Sequence, residues 1–310
     1  MGPAENLQAG LIARRYFLEG RSKVEIAAEY GISRFKVARI LETALAEGTV
    51  RIEINVPGHL DVELSDRLRA AYGLQHSLVI DTPDNDETRR TELGRAVGQL
   101  LSEILTAEDI LGVGWGRTLA SMSDGLSELA PCPVVQMSGV VGSVSANSME
   151  LLRRLTGISG GPAFPIYAPL LVSDAATARG LRRQAGIKAA FARFGQITKA
   201  AIAVGSWNPP NSQLHDIMSE HERADMRAHG VQADISATLL SAAGEPLAPE
   251  IDARSVAISA EQLKQIPEVI AVAGGADKAD AVTAVLRGGY ATSLVTDVHL
   301  ARLLLRDAEK

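Results

Sequence analysis

The spacing of apolar positions changes along the chain and divides it into two parts. Up to about residue 55, apolar residues recur at helical spacing and predict an amphipathic helix over about 5–19, followed by two shorter helices. Further on, short apolar runs alternate with longer helical patterns, which is typical of an α/β domain built on a parallel sheet. Asn55-Val56-Pro57-Gly58 interrupts both patterns. We therefore predict two domains, 1–55 and 59–310.

The two shorter helices of the first part are joined by a glycine turn. Ser22 and Glu25 have the spacing of a capping box that opens a helix ending at Gly31, and Ser33 can cap a second helix over about 34–47. This is the helix-turn-helix pattern. The segment after the second helix is expected to form a turn and a short strand, which would add a wing. Six apolar residues would form the small core: Ile26, Ala27, Ile32, Val37, Ile40 and Leu41.

The second of these helices would carry cations and a hydroxyl on its outward face, namely Ser33, Arg34, Lys36 and Arg39. Such side chains in the first turns of a recognition helix contact phosphates and base edges in the major groove. We therefore predict that these four residues bind double-stranded operator DNA. The alternative is a plain helical hairpin with a solvated basic face.

Charge is distributed in a way that suits this interpretation. The chain has 310 residues and a net charge of −6, yet residues 1–53 hold eight Lys or Arg against seven Asp or Glu, and the remainder holds 23 against 30. An acidic body with a slightly basic head is expected of a regulator that touches nucleic acid only through its head. The single cysteine, Cys132, excludes a disulfide framework within one chain. No signal peptide and no membrane span are expected, so we predict a cytoplasmic protein with no membrane partner.

In the larger domain, the stretch Ile110–Ala120 combines a strand-like run with a glycine turn. Gly114-Trp115-Gly116 breaks the apolar run, and a helix is expected from about Thr118 through Leu129. A strand, a glycine turn and a helix together direct free backbone N–H groups towards an anion. Arg117 and Thr118 would add a guanidinium and a hydroxyl at the helix start. The alternative is an ordinary connection between a strand and a helix.

Several predicted strands end in glycine or a polar residue, and such ends would gather at one edge of a parallel sheet. Further strands are expected at 76–80, 133–139, 199–204, 269–273 and 293–296, with helices at 60–72, 88–105, 149–156, 175–184, 278–287 and 298–306. Ligands of open parallel sheets bind outside the carboxyl ends of the strands. The residues expected there are Gly114, Gly116, Gly139, Gly205, Gly274, Gly275 and Asp297, and Asp297 is also expected to cap the last helix.

Six sequence blocks, taken in order, resemble one family over nearly the whole chain. They are VGWGRT, SGVVGSVSANS, PIYAPLLV, GVQADISA, VAGGADKADAVTAVLRGG and VTDVHLARLLL, and they resemble the SorC family of sugar-responsive transcriptional regulators. The resemblance implies a Rossmann-like effector domain folded like ribose-5-phosphate isomerase and glucosamine-6-phosphate deaminase, assembled as a dimer or tetramer. It also implies a sugar, polyol or sugar-phosphate effector. The chain departs from the family at Gln232-Ala233, and at Trp115 and Arg117, where phosphate-binding members carry smaller residues, so both phosphorylated and free effectors remain open.

The resemblance also implies which residues contact the effector. They are Gly114, Trp115, Gly116, Arg117, Thr118, Gly139, Ser145, Asn147, Asp234 and Lys278. Three of these positions have structural alternatives. Asp234 could cap a helix, Lys278 could be a surface lysine, and Asn147 could be a turn residue.

No catalytic group, metal site or cofactor is predicted. The six histidines show no pair with carboxylates at metal-binding spacing. The polar stretch Asn208–Asp225 is expected to form a lid-like loop, and Trp207 could stack on a sugar or pack inside the domain. The alternative function is a sugar-phosphate isomerase or deaminase, with Asp234 or Asp297 as general base; no second acid or base is matched to either.

Overall fold

A computed structural model describes residues 2–52, 59–124, 126–141 and 145–309, without the side chains of 145–148. The chain forms two compact units, Met1–Asn55 and Val56–Lys310. The predicted boundary at Asn55–Gly58 lies outside the described residues.

The N-terminal unit contains helices α1 (Pro3–Phe17), α2 (Lys23–Tyr30) and α3 (Arg34–Ala46). The Ser22 and Glu25 capping box opens α2, and Gly31 ends it with a φ of 62°. Ser33 caps α3. All six residues predicted for the core are buried or half-buried against one another. The helix-turn-helix is therefore confirmed, because each of its local signals is satisfied by the residue that was expected to satisfy it.

The predicted wing strand is not formed in the residues that the structure describes. Thr49–Ile52 has no strand structure, and the following residues, 53–58, lie outside the described part. The Val50 amide instead donates a 2.9 Å hydrogen bond to the carbonyl oxygen of Ala44, so the chain folds back onto the end of α3.

The C-terminal unit is built on two sheets. Its strands are β1 Ser77–Ile80, β2 Leu111–Val113, β3 Val134–Gln136, β4 Ala163–Phe164, β5 Lys199–Ala203, β6 Gly205–Trp207, β7 Pro210–Asn211, β8 Val231–Ile235, β9 Thr238–Ser241, β10 Pro246–Leu247, β11 Glu268–Val272 and β12 Ser293–Asp297. The helices are α4 Val62–Tyr72, α5 Asp86–Ile104, α6 Ser145–Ser159, α7 Ala175–Arg182, α8 Ala185–Phe191, α9 Gln213–Ile217, α10 Glu220–Ala228, α11 Pro249–Arg254, α12 Ala260–Lys264, α13 Ala279–Arg287 and α14 Val298–Ala308.

The larger sheet has the strand order β1-β12-β11-β5-β2-β3-β4, and its paired strands are parallel. Helix α5 packs Leu93, Val97 and Leu101 into one apolar cluster, and α14 packs Leu300 and Leu304 into another. Each strand of this sheet was predicted except β4, for which the sequence indicates only an extended stretch over about 163–172, interrupted by Pro165 and Pro169. The α/β fold is confirmed.

The direction in which strands are added reverses between β2 and β5. From β2 the chain adds β3 and β4 on one side; it then returns to place β5 on the other side and continues to β11 and β12. In an open parallel sheet a crevice forms at such a reversal, outside the carboxyl ends of the two strands. The loops after β2 and β5 border that crevice.

The second sheet, β10-β9-β8-β6-β7, is antiparallel and was not predicted. Its strands have two to five residues, which is too short for an alternating pattern to stand out. The lid-like loop predicted at Asn208–Asp225 is wrong. This stretch forms β7, α9 and the start of α10, because Ser212 and Ser219 cap the two helices and Leu214 and Met218 are buried.

The helix predicted from Thr118 through Leu129 is also wrong. A single 3₁₀ turn, Leu119–Ser123, stands there. Helix α5 approaches its backbone closely through two glycines: a Cβ on Gly94 would collide with the carbonyl oxygen of Thr118, and one on Gly98 with that of Met122. Because α5 packs so closely against this segment, the segment forms one short turn with hydrogen bonds between residues i and i+3, and no full α-helix.

Candidate functional site

A cavity lies at the reversal of strand order, where β2 and β5 end. It is small and open: the space between its walls is about 510 Å³ when the solvent at its mouth is counted. Six of the ten residues predicted to contact the effector line it: Trp115, Gly116, Arg117, Thr118, Asp234 and Lys278. These residues come from three separate segments of the chain, and the fold brings them to one place.

The loop after β2 contributes one wall. Trp115 and Thr118 are half-buried and Arg117 is exposed. Gly114 does not line the cavity: its amide donates a 2.8 Å hydrogen bond to the carbonyl oxygen of Ala201, so this N–H continues the sheet ladder with β5 and is not free for an anion. The effector contact expected at Gly114 is therefore not found in the geometry.

Asp234 lies on β8 at the back of the cavity and is almost completely buried, with 4% of its surface exposed. It lies within a strand and does not precede a helix, so the helix-cap alternative is wrong. The indole N–H of Trp207 donates a 3.0 Å hydrogen bond to its carboxylate. Burial raises the pKa of Asp234, and hydrogen bonds from Ser212 and Trp207 oppose that shift. Trp207 is itself buried, so the prediction that it packs inside the domain is confirmed. Its ring has no exposed face on which a sugar could stack.

Gly205 leaves the room that the Asp234 carboxylate occupies. The two residues are directly paired across β6 and β8. A Cβ at Gly205 would collide with the carboxylate oxygens. Gly205, the first residue of β6, therefore makes room for the Asp234 side chain, a role that the sequence did not indicate.

Lys278 ends a 3₁₀ turn, Ala276–Lys278, that follows β11. Its ammonium group donates a 2.6 Å hydrogen bond to the carbonyl oxygen of Val204 at the end of β5. Burial lowers the pKa of Lys278 to about 8, while the nearby carboxylate of Asp234 acts in the opposite direction. Lys278 is thus a half-buried cation in the cavity wall, and the surface-lysine alternative is wrong.

A polar network continues around the mouth of the cavity. The Arg117 guanidinium donates to the side-chain oxygen of Asn211, and the Asn211 amide donates to Asp277 at 3.1 Å. Arg90, from the start of α5, adds a third cation to the lining. Arg90 and Asn211 were not among the predicted site residues. The run DETRR at the beginning of a long helix was the available signal for Arg90.

Two buried polar side chains in the lining have no hydrogen-bond partner within the described part of the chain. They are the Gln213 amide nitrogen and the Ser236 hydroxyl, on residues that are 8% and 5% exposed. Buried polar groups are normally paired. A molecule rich in hydroxyl groups would supply the missing partners.

Asp297 performs the structural role expected of it. Its carboxylate accepts hydrogen bonds from the amides of His299 and Leu300 at the start of α14. It also accepts one from the Gly275 amide at 2.6 Å. Three backbone donors therefore hold this carboxylate at the end of β12.

Gly139 lies outside the cavity lining. A Cβ there would collide with the carbonyl oxygens of Ala168 and Pro169, so the glycine permits close backbone packing. The side chains of Ser145 and Asn147, also predicted to contact the effector, lie outside the described part of the structure.

In the N-terminal unit, the four residues predicted to bind DNA lie on the exposed surface at the N-cap and in the first two turns of α3. Arg34, Lys36 and Arg39 are exposed. Ser33 is exposed as well, but its hydroxyl accepts a 3.2 Å hydrogen bond from the Lys36 amide. The three cations are therefore free to face a polyanion, while Ser33 is engaged in capping the helix.

Neither a metal-binding cluster nor a membrane-spanning helix is present in the described residues. No group of three or more His, Cys, Asp or Glu side chains is placed to hold a metal ion. None of the helices there combines the length and the apolar character that a membrane crossing requires.

Comparison with known proteins identifies the family. A family model for a sugar-binding domain (Sugar-bind) matches residues 57–306. The transcriptional regulator YjhU of Escherichia coli K12 is 31% identical over 303 residues, which cover 94% of this chain and 92% of YjhU. The full-length sorbitol operon regulator SorC of Klebsiella pneumoniae superposes with a TM-score of 0.72 at 22% identity, over 97% of this chain and 99% of SorC. The chain belongs to the SorC family of sugar-binding transcriptional regulators.

The likeness extends over both units of this SorC-family regulator. The transcriptional regulator LsrR of Enterobacter sp. strain 638 is 29% identical over 298 residues, covering 95% of this chain and 91% of LsrR. The family resemblance predicted from the six sequence blocks is therefore confirmed.

Proposed function

We propose that this chain is a transcription regulator of a carbohydrate operon whose affinity for operator DNA is set by a sugar, polyol or sugar phosphate. The effector occupies the cavity at the ends of β2 and β5. One observation carries the proposal: Lys278 and Asp234 both line the cavity at the reversal of strand order, beside two buried polar groups that have no partner among the described residues. A ligand with several hydroxyl groups would pair with them.

The charges in the lining favour an effector that carries an anionic group. Arg90, Arg117 and Lys278 face a single lining carboxylate, that of Asp234, among the described residues. Cations arranged in this way bind phosphate through charge-assisted hydrogen bonds. A sugar phosphate is thus favoured over a free sugar or polyol, and the experiment below separates them.

DNA binding is assigned to the exposed side of α3. The helix-turn-helix places its second helix in the major groove, with the first turns against base edges and phosphates. Arg34, Lys36 and Arg39 lie on those turns or directly after them. A homo-oligomer, dimer or tetramer, would present two such helices to a two-fold operator in the cytoplasm.

The alternative of a sugar-phosphate isomerase or deaminase requires a carboxylate that is free to move a proton. Asp297 accepts hydrogen bonds from three backbone amides and is not free. We expect no turnover of ribose 5-phosphate or glucosamine 6-phosphate by the purified protein. Measurable turnover of either would support the enzyme.

The test has two stages. A thermal-shift screen against sugars, polyols and their phosphates identifies the effector, because a ligand that binds the native state raises the melting temperature. Operator affinity is then measured with and without that compound. The double variant Thr118→Val, Lys278→Ala should lose the response and keep operator binding. A response that survives in the variant would remove the effector from this cavity.

A further inference from the structure

The outward side of α3 carries an exposed aromatic ring among its cations. Phe35 is 73% exposed, and it belongs to neither the core of the N-terminal unit nor the residues packed against that core. It precedes the buried Val37 by two residues, so its side chain points about 160° away from Val37 around the helix. Phe35 therefore stands at the middle of the surface that the core leaves uncovered.

The surroundings of this ring are positively charged. Arg34 and Lys36 flank Phe35 in the chain, and Arg39 follows one helical turn later on the same face. The Arg34 guanidinium carbon lies 4.9 Å from the centroid of the Phe35 ring. A single exposed apolar residue needs no explanation by itself. Here, however, the ring lies among three cations at the start of the second helix of a helix-turn-helix. These charges indicate that the partner that covers the ring is negatively charged.

Double-stranded DNA fits this surface better than a protein does. A second copy of the chain docked through Phe35 would bring like-charged guanidinium and ammonium groups together. The major groove offers phosphates for the cations and, at each thymine, an apolar C5 methyl group that side chains such as Phe contact. The first turns of a recognition helix are the part that reaches base edges.

We propose that Phe35 is a specificity-determining residue that recognises thymine by packing its ring against the C5 methyl group in the major groove. This inference rests on the proposed DNA-binding function and names one base that the head would read. Arg34, stacked over the ring, holds it in place and directs its own charge towards the adjacent phosphate. Lys36 and Arg39 supply the contacts that do not depend on sequence.

The test uses the full-length protein and a duplex that it selects from a randomised library. Each thymine of the selected site is replaced in turn by deoxyuridine, which lacks the methyl group and keeps the same hydrogen-bonding edge. At one thymine in each half-site, the replacement should weaken wild-type binding by about fourfold, the factor expected for one buried methyl-sized group. Phe35→Ala should be weaker on the thymine duplex and should show no further loss at that position.

Two further variants separate recognition from packing. Phe35→Leu keeps an apolar side chain and should retain part of the sensitivity to the methyl group. Leu18→Ala removes another large side chain of the same unit, one that is 80% exposed, and should keep the full sensitivity. Unfolding of Phe35→Ala should match the wild type, because the ring is outside the core.

Three results would overturn the inference. The first is that Phe35→Ala binds the thymine duplex as tightly as the wild type does. The second is that deoxyuridine weakens binding of the wild type and of Phe35→Ala equally at every position. The third is a change of oligomeric state in Phe35→Ala, which would assign the ring to a contact between copies. If the wild type selects no sequence at all, the proposed DNA-binding function fails first, and that result is distinct from these three.

Discussion

The ammonium group of Lys278 is bound to the carbonyl oxygen of Val204 at a distance of 2.6 Å, across 74 positions of sequence. This hydrogen bond joins the connection after β11 to the end of β5, and it fixes a cation at the wall of the cavity. One donor of Lys278 is used in the bond, and an ammonium group has three. The other two make no hydrogen bond to the residues that the structure describes.

Replacing this lysine should therefore remove the effector response. Lys278→Gln is expected to weaken binding of the effector found by thermal shift by about ten- to hundredfold, the range for a lost hydrogen bond to a charged group. Isothermal titration measures the change. Lys188→Gln, at an exposed lysine of α8, should bind as the wild type. Equal affinities for Lys278→Gln and the wild type would exclude Lys278 from the site.

Effector binding should depend on pH because the pKa of Lys278 is lowered to about 8 from 10.5. Below pH 8 the ammonium is charged and can bind an anion; as pH rises above 8 the proton is lost, and affinity for a sugar phosphate should fall. In Lys278→Gln that fall should be absent. The same group makes the free energy of unfolding rise from pH 8 to 10.5, since the unfolded chain binds more protons there. A wild-type affinity that stays constant from pH 7 to pH 9.5 would contradict this assignment.

The hydrogen bond from Trp207 to Asp234 should contribute to stability. Trp207→Phe keeps an aromatic ring and leaves a buried carboxylate with one donor fewer, which costs about 1–3 kcal/mol. Urea unfolding measures the difference. In an Asp234→Asn background the same change should cost less, because the charge is gone. An identical cost in both backgrounds would show that the loss comes from ring packing alone.

Operator binding should lose part of its salt dependence when a cation of α3 is removed. Arg39→Ala is expected to weaken binding to the selected duplex and to reduce the slope of log affinity against log salt by about one, as for one lost phosphate contact. Fluorescence anisotropy over a series of salt concentrations gives both quantities. Lys188→Ala serves as the control with an unchanged slope. An unchanged slope for Arg39→Ala as well would place the DNA elsewhere.

The helix-turn-helix could be predicted from the sequence because its determinants are local. Ser22, Glu25, Gly31 and Ser33 each act within a few residues, at caps and at one left-handed turn. The strands of the parallel sheet could be predicted because their apolar runs are bounded by glycine or polar residues. Arg117 and Thr118 followed from their place after such a strand, and Lys278 followed from the family resemblance.

The rest of the site depends on contacts between distant residues. The second sheet positions Asp234 against Trp207, yet its short strands leave no periodic pattern. A glycine in the sequence is an ambiguous signal of a ligand site, because its meaning also depends on distant residues. It marks a close approach without identifying the group that approaches, and at Gly139 that group is the backbone of Ala168 and Pro169, not a ligand.

A crystal structure of the full chain with the effector found by thermal shift tests the central claim most directly. The account predicts the compound in the cavity at the ends of β2 and β5, with a hydroxyl or phosphate oxygen within about 3 Å of the Lys278 ammonium and another group beside Thr118. The same compound bound elsewhere on the C-terminal unit, with this cavity holding solvent, would contradict it.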